Sequence, residues 1–104
     1  MAHRVAWSPE ALEDLEAIAE FIGRDSRFYA QAVVSKGLTV GAAVADFPEA
    51  GRVVPELDDN SIRERFVYSY RVIYRVEPER VLIVAVIHGK RLLESVSERT
   101  TNKS

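Results

Sequence analysis

YSYRVIYRVEPERVLIVAVIHGKR, residues 68–91, holds two apolar runs of strand length separated by a turn-forming link that contains Pro78. Side chains of a strand alternate between faces. In 70–76, Tyr70, Val72, Tyr74 and Val76 therefore share one face, and Arg71, Ile73 and Arg75 the other. The run from Val81 to Ile87 has no polar alternation, which predicts a central strand at 80–88 covered on both sides. The short link makes these two strands a hairpin. A preceding strand at about 61–66 places Ile62, Glu64 and Phe66 on one face and Arg63 and Arg65 on the other.

How that preceding strand pairs decides where the cations go. Directly paired residues of an antiparallel hairpin lie on the same side of the sheet. An odd loop at 67–69 pairs Phe66 with Tyr70 and Arg65 with Arg71. Arg63, Arg65, Arg71 and Arg75 then form one basic face, with the aromatic residues on the opposite face. A two-residue turn at Tyr68 and Ser69 instead sets Arg63 and Arg65 among the tyrosines and desolvates two guanidiniums. The odd loop is therefore expected, with Glu64 on the aromatic side near the rim of the sheet.

Working back towards the N-terminus, residues 3–7 read as a short strand ending at a helix start. Ser8 is an N-cap, Pro9 suits the first helical position and Glu10 complements the positive end of the dipole. Leu12, Leu15, Ile18, Ala19 and Ile22 recur at helical spacing, with a solvated acidic side made by Glu13, Asp14, Glu16 and Glu20. Gly23 is expected to end this helix. Asp25 or Ser26 caps a second helix reaching about Asp46, with the stripe Tyr29, Val33, Val40, Val44 and Phe47. Gly37 and Gly41 inside it cost about 1 kcal/mol each relative to alanine, which suggests close approach of the first helix in an αα-hairpin. Pro48 stops the second helix, and 48–60 is a turn-rich connector. Residues 90–98 are expected to be irregular or a short helix, and 99–104 a flexible tail.

The whole chain has 104 residues, enough for one domain (1–98) that buries roughly two-thirds of its unfolded surface. No apolar run approaches the roughly 20 residues of a membrane span. The absence of cysteine excludes disulfides and thiolate zinc sites. A cytoplasmic protein without membrane contact is expected. Net charge is −2, but unevenly spread. Residues 1–60 carry five basic and eleven acidic side chains, and residues 61–91 carry seven and three. That split hints at a basic interaction surface in the second half. An overall negative charge argues against a protein that lives on nucleic acid. Two histidines and no convergent carboxylates give no metal site, and no cofactor is expected.

Several segments then resemble one family. WSPEALEDLEAIAEFI, FPEAGRVVPEL, IRE, YRVIYRV and VIHGKR stand in the order seen in the ParE/RelE superfamily of bacterial toxins, over about residues 3–93. The resemblance implies an α+β fold: an N-terminal strand and an αα-hairpin packed on a small, mainly antiparallel sheet. It also implies the toxin half of a type II toxin–antitoxin pair, in a heteromeric complex with a ParD-like or RelB-like antitoxin. RelE-like members cut messenger RNA on the ribosome, using basic side chains on the phosphate and acid–base groups for proton transfer. ParE-like members inhibit DNA gyrase. Arg71 and Arg91 match phosphate-binding arginines of the RelE-like pattern, and Arg63 falls where a second lysine is common. With His88 these are the catalytic candidates of a nuclease.

The departures favour the other branch. Ser61 stands where the RelE-like pattern has its first lysine, and Ser97 where it has a C-terminal tyrosine. A serine without its own base does not replace that tyrosine. No aromatic residue follows His88, so base stacking lacks a platform there. The expectation is a ParE-like gyrase inhibitor, contacting its target through Arg63, Arg65, Arg71, Arg75, Lys90 and Arg91. The alternatives are a messenger-RNA endonuclease and a degenerate toxin that only pairs with its antitoxin. The antitoxin is expected to cover Ala30, Ala42, Ala43 and Ala45 on the helical hairpin.

Overall fold

A computed structural model describes residues 3–91 and 94–101. The elements are β1 (Arg4–Trp7), α1 (Pro9–Gly23), α2 (Arg27–Asp46), a 3-10 turn Pro48–Ala50, β2 (Arg52–Val53), β3 (Ile62–Val67), β4 (Tyr70–Val76), β5 (Arg80–His88) and α3 (Glu94–Thr101). The five strands form one sheet in the order β1-β5-β4-β3-β2. β1 runs parallel to β5, and the other pairs are antiparallel. This is the expected α+β arrangement, with the helical hairpin on one side of the sheet.

Local chemistry places the helices. The Ser8 hydroxyl accepts from the Ala11 amide at 3.0 Å and Pro9 opens α1. Of the two candidate caps of α2, Ser26 serves, accepting from the Tyr29 amide at 3.1 Å. Gly23 closes α1 without a left-handed turn, since the following Arg24 keeps φ at −62°. Only one of the two α2 glycines faces α1. Gly37 lies against Leu15 of α1, whereas Gly41 admits the Trp7 indole of β1, whose Cζ2 is 3.1 Å from where a Cβ would sit.

The sheet carries a core on each face. Ala11, Val40, Val44, Val72, Tyr74 and Ile83 pack together beneath the helices. Val54, Ile62, Ile73, Val84, Ile87 and Val96 pack on the other face, under the connector and α3. β5 is buried on both sides, as its unbroken apolar run predicts. A bulge interrupts its alternation. Ile73 faces Ala85 and Tyr74 faces Ile83, which leaves Val84 without an opposite residue. Val84 and Ala85 consequently both join the α3-side core.

The β3–β4 register corrects the expected basic face. Val67 pairs with Tyr70 and Phe66 with Arg71, so the loop has two residues, Tyr68 and Ser69. Tyr68 takes φ = 54°, the positive value that the first position of a two-residue hairpin loop requires. Arg63 lies opposite Tyr74 and Arg65 opposite Val72, on the side of α1 and α2. Arg71 and Arg75 point to the α3 side. The physical reason is Glu64. This register puts it on the same face as Arg71 and buries both as a pair, at 2.7 Å between Glu64 Oε1 and Arg71 Nε. α3 continues past residue 98 to Thr101, with Thr100 buried. The last three residues of the expected tail, 102–104, lie outside the described residues.

Candidate functional site

The centre of interest is where β3, β4 and the C-terminal end of β5 meet the connector. Arg71 is 3% exposed and Glu64 1%. Arg71 Nη2 donates to Glu56 Oε1 at 2.9 Å and Nη1 to Glu56 Oε2 at 3.1 Å, while Nη1 also reaches the Gly89 carbonyl at 3.3 Å. The second oxygen of Glu64 accepts from Arg52 Nε. The Arg52 guanidinium stands 5.6 Å from the centre of the Phe66 ring. Two arginines and two carboxylates thus form one neutral network. The bond from Arg71 holds the Glu56 carboxyl below its usual range, and Glu56 in turn raises Arg71.

The remaining candidates separate into two kinds. Arg63 ties the chain to itself, donating to the carbonyls of Asn60 at 3.0 Å and Gly51 at 2.9 Å. Arg65 is half-buried on the same face. Arg75 donates to Glu77 at 3.0 Å and to the Thr100 carbonyl at 3.1 Å. His88, Lys90 and Arg91, by contrast, are exposed at the end of β5. The His88 ring lies edge-on to Tyr70, 5.7 Å between centres, and its Nδ1 accepts from the Lys90 amide.

Beside these three lies an aromatic groove of about 550 Å³ between the α1–α2 turn and the β3–β4 turn, lined by Phe21, Tyr29, Val33, Tyr68, Tyr70 and His88. Phe21, Tyr29 and Tyr68 are all about two-thirds exposed. Phe21, Tyr70 and His88 also border a second groove of about 320 Å³ that runs on past Val86 and Arg91 to Val96. The reading from periodicity put Tyr29 in the core stripe and did not gather these rings. Their meeting depends on two turns distant in sequence. Glu56, Glu64 and Arg52 were missed as well. The available signal was Glu64 itself, a carboxylate between Ile62 and Phe66 on an apolar strand face, which demands a buried cation. The hairpin alanines divide: Ala30 and Ala45 are buried, Ala43 is half-buried, and Ala42 is exposed.

Residues 5–93 match the family model described as ParE toxin of type II toxin–antitoxin system, parDE. Toxin RelE2 of Caulobacter vibrioides (strain ATCC 19089 / CIP 103742 / CB 15) is 34% identical over 90 residues, which cover 86% of this chain and 98% of that protein. A solved structure titled chromosomal ParDE TA system from P. aeruginosa aligns with a TM-score of 0.68 at 16% identity, over 84% of this chain and 96% of the other. At that identity the match shows a common fold.

Proposed function

We propose that this chain, which belongs to the ParE toxin family of type II toxin–antitoxin systems, arrests growth by binding DNA gyrase and is neutralised by a cognate antitoxin. The observation that supports gyrase over messenger RNA is the state of Arg71. The side chain that the RelE-like pattern would put on the scissile phosphate is 3% exposed and held by two carboxylates. A guanidinium so neutralised adds little to a phosphate's stabilisation, because a second anion beside Glu64 and Glu56 meets repulsion as well as attraction. Lys90 and Arg91, exposed beside the aromatic groove, are the proposed target contacts.

The experiment is a gyrase supercoiling assay beside a ribosome-programmed messenger-RNA cleavage assay, both with purified chain. Loss of supercoiling with intact message is the expected result. Cleaved message with unaffected supercoiling would reverse the assignment. A second reading as a ribosome-dependent nuclease draws on the identity to Toxin RelE2 and on Tyr68, Tyr70 and His88 standing near the exposed Lys90 and Arg91, a stacking platform that the C-terminal sequence lacks.

The antitoxin is proposed to lay an apolar segment along the aromatic groove, its acidic residues meeting Lys90 and Arg91. Hydrogen exchange on the complex should then slow at Phe21, Tyr29 and the Tyr68–Ser69 turn. Unchanged exchange at all three places the antitoxin elsewhere.

A further inference from the structure

The two carboxylates of the Arg71 network are held differently. Glu64 has a side chain 0% exposed, neutralises Arg71 from within the sheet, and is itself satisfied by Arg52. Glu56 is the outer partner of the same guanidinium, with its side chain 46% exposed. It projects from a turn anchored on either side by buried Val54 and half-buried Leu57, whose amide donates to the Val54 carbonyl at 3.1 Å. Side-chain rotation alone therefore removes Glu56 from Arg71, without moving the core.

What would then face solvent is a flat fork of two N–H groups, one on Nη1 and one on Nη2. Another Nη1 N–H is directed to the Gly89 carbonyl, and Nε to Glu64. Such a fork matches a carboxylate at two points. A carboxylate restores the single negative charge that Glu56 supplies to the network, whereas a phosphate dianion adds a further one beside buried Glu64 and the Gly89 carbonyl oxygen. The rim is specific too. A Cβ at Gly89 would stand 3.1 Å from the Ser69 carbonyl oxygen and 3.4 Å from Phe66 Cε2, so the fork is bordered by bare backbone and by the half-exposed Phe66 ring. Exposed Lys90 and Arg91 follow directly.

We propose that the Nη edge of Arg71 is a docking site for a carboxylate of an acidic protein segment, that Glu56 occupies it in the free chain, and that the segment displaces Glu56 while an apolar neighbour covers Phe66. The inference rests on the reading that a protein partner neutralises this chain, and adds the chemistry of one contact.

The test follows the Arg71 Nε–H resonance by 15N NMR at constant ionic strength, with the capped peptide acetyl-Glu-Leu-Glu-amide as one probe and inorganic phosphate as the other. Because the peptide reaches the fork only in the fraction of molecules that Glu56 has left, an edge closed in about nine molecules of ten means that the peptide should bind Glu56→Gln about tenfold more tightly than the unaltered chain. Equal affinity in both would show that Glu56 closes nothing. No saturable shift in Glu56→Gln would remove the site. Phosphate binding more tightly than the peptide would overturn the carboxylate assignment and point to nucleic acid. No antitoxin enters the experiment, so its failure leaves neutralisation standing, and failure to find a neutralising partner leaves this measurement valid.

Discussion

Tyr74 shows how much one side chain organises here. Its ring is fully buried among the helix-side residues, and burial keeps the phenol protonated by pushing its pKa up. The hydroxyl donates to the Pro48 carbonyl at 2.7 Å and accepts from the Gly51 amide at 3.1 Å, pinning the 48–51 turn to the sheet. Tyr74→Phe strands that amide and should cost about 1–3 kcal/mol in urea unfolding. Gly51→Ala should cost a similar ~1–3 kcal/mol, since the new methyl would press on the Tyr74 hydroxyl and on the Glu64 carbonyl oxygen, 2.6 Å away, and one of them must shift. The sequence marks Gly51 as a turn residue, but this collision belongs to β3 and β4. Glu64→Gln removes the buried negative charge and leaves Glu56 as the one carboxylate on Arg71. Breaking a buried pair in this way costs about 3–5 kcal/mol, and the same denaturation measurement checks it.

At the scale of elements, the uncovered edge of β5 is the instructive feature. β1 pairs with β5 only as far as Ile83. Beyond that point other groups satisfy the edge. Asp14 of α1 accepts from the Val86 amide at 3.0 Å and from Arg99 of α3 at 2.9 Å, and Arg99 also donates to the Val84 carbonyl at 3.0 Å. Asp14, which helical periodicity assigns to a solvated acidic side, thus joins three elements. Asp14→Ala leaves a strand amide without its acceptor and should lower stability by about 1–3 kcal/mol, with faster hydrogen exchange at Val86. If exchange there is unaltered, the latch is not what protects this edge. The boundaries of α1, α2 and the longer strands were legible to within a residue or two from caps and alternation, because those signals lie within a few residues of one another.

For the whole molecule, the charge split between the two halves of the chain is bridged by Glu56 and Arg71, while Glu77 pairs with arginines of its own half. Glu56 accepts from Arg71, and Glu77 accepts from Arg80 and Arg75. Both carboxyls are held below their ordinary value of 4.5, chiefly by those hydrogen bonds. A lowered folded-state pKa means that the native state binds fewer protons than the unfolded chain. Its contribution is complete above about pH 4.5 and is lost as pH falls through the depressed values. Thermal unfolding should therefore show a falling Tm below pH 4.5. The outermost of these pairs, Glu56 with Arg71 and Glu77 with Arg80, should weaken further in high salt. A Tm flat down to pH 3 would contradict this account.

Local sequence determined α1, α2, the places of β1, β3, β4 and β5 and the double burial of β5, because caps, breakers and two- or 3.6-residue periodicity act over short distances, whereas the two-residue β2 inside the connector and the extension of α3 to Thr101 were not legible there. It also carried the family resemblance through ordered motifs. The tertiary structure alone decided which face each arginine occupies. Moving the hairpin by one residue reverses every side chain of β3, and that choice was settled by where one buried carboxylate could find its cation across the sheet.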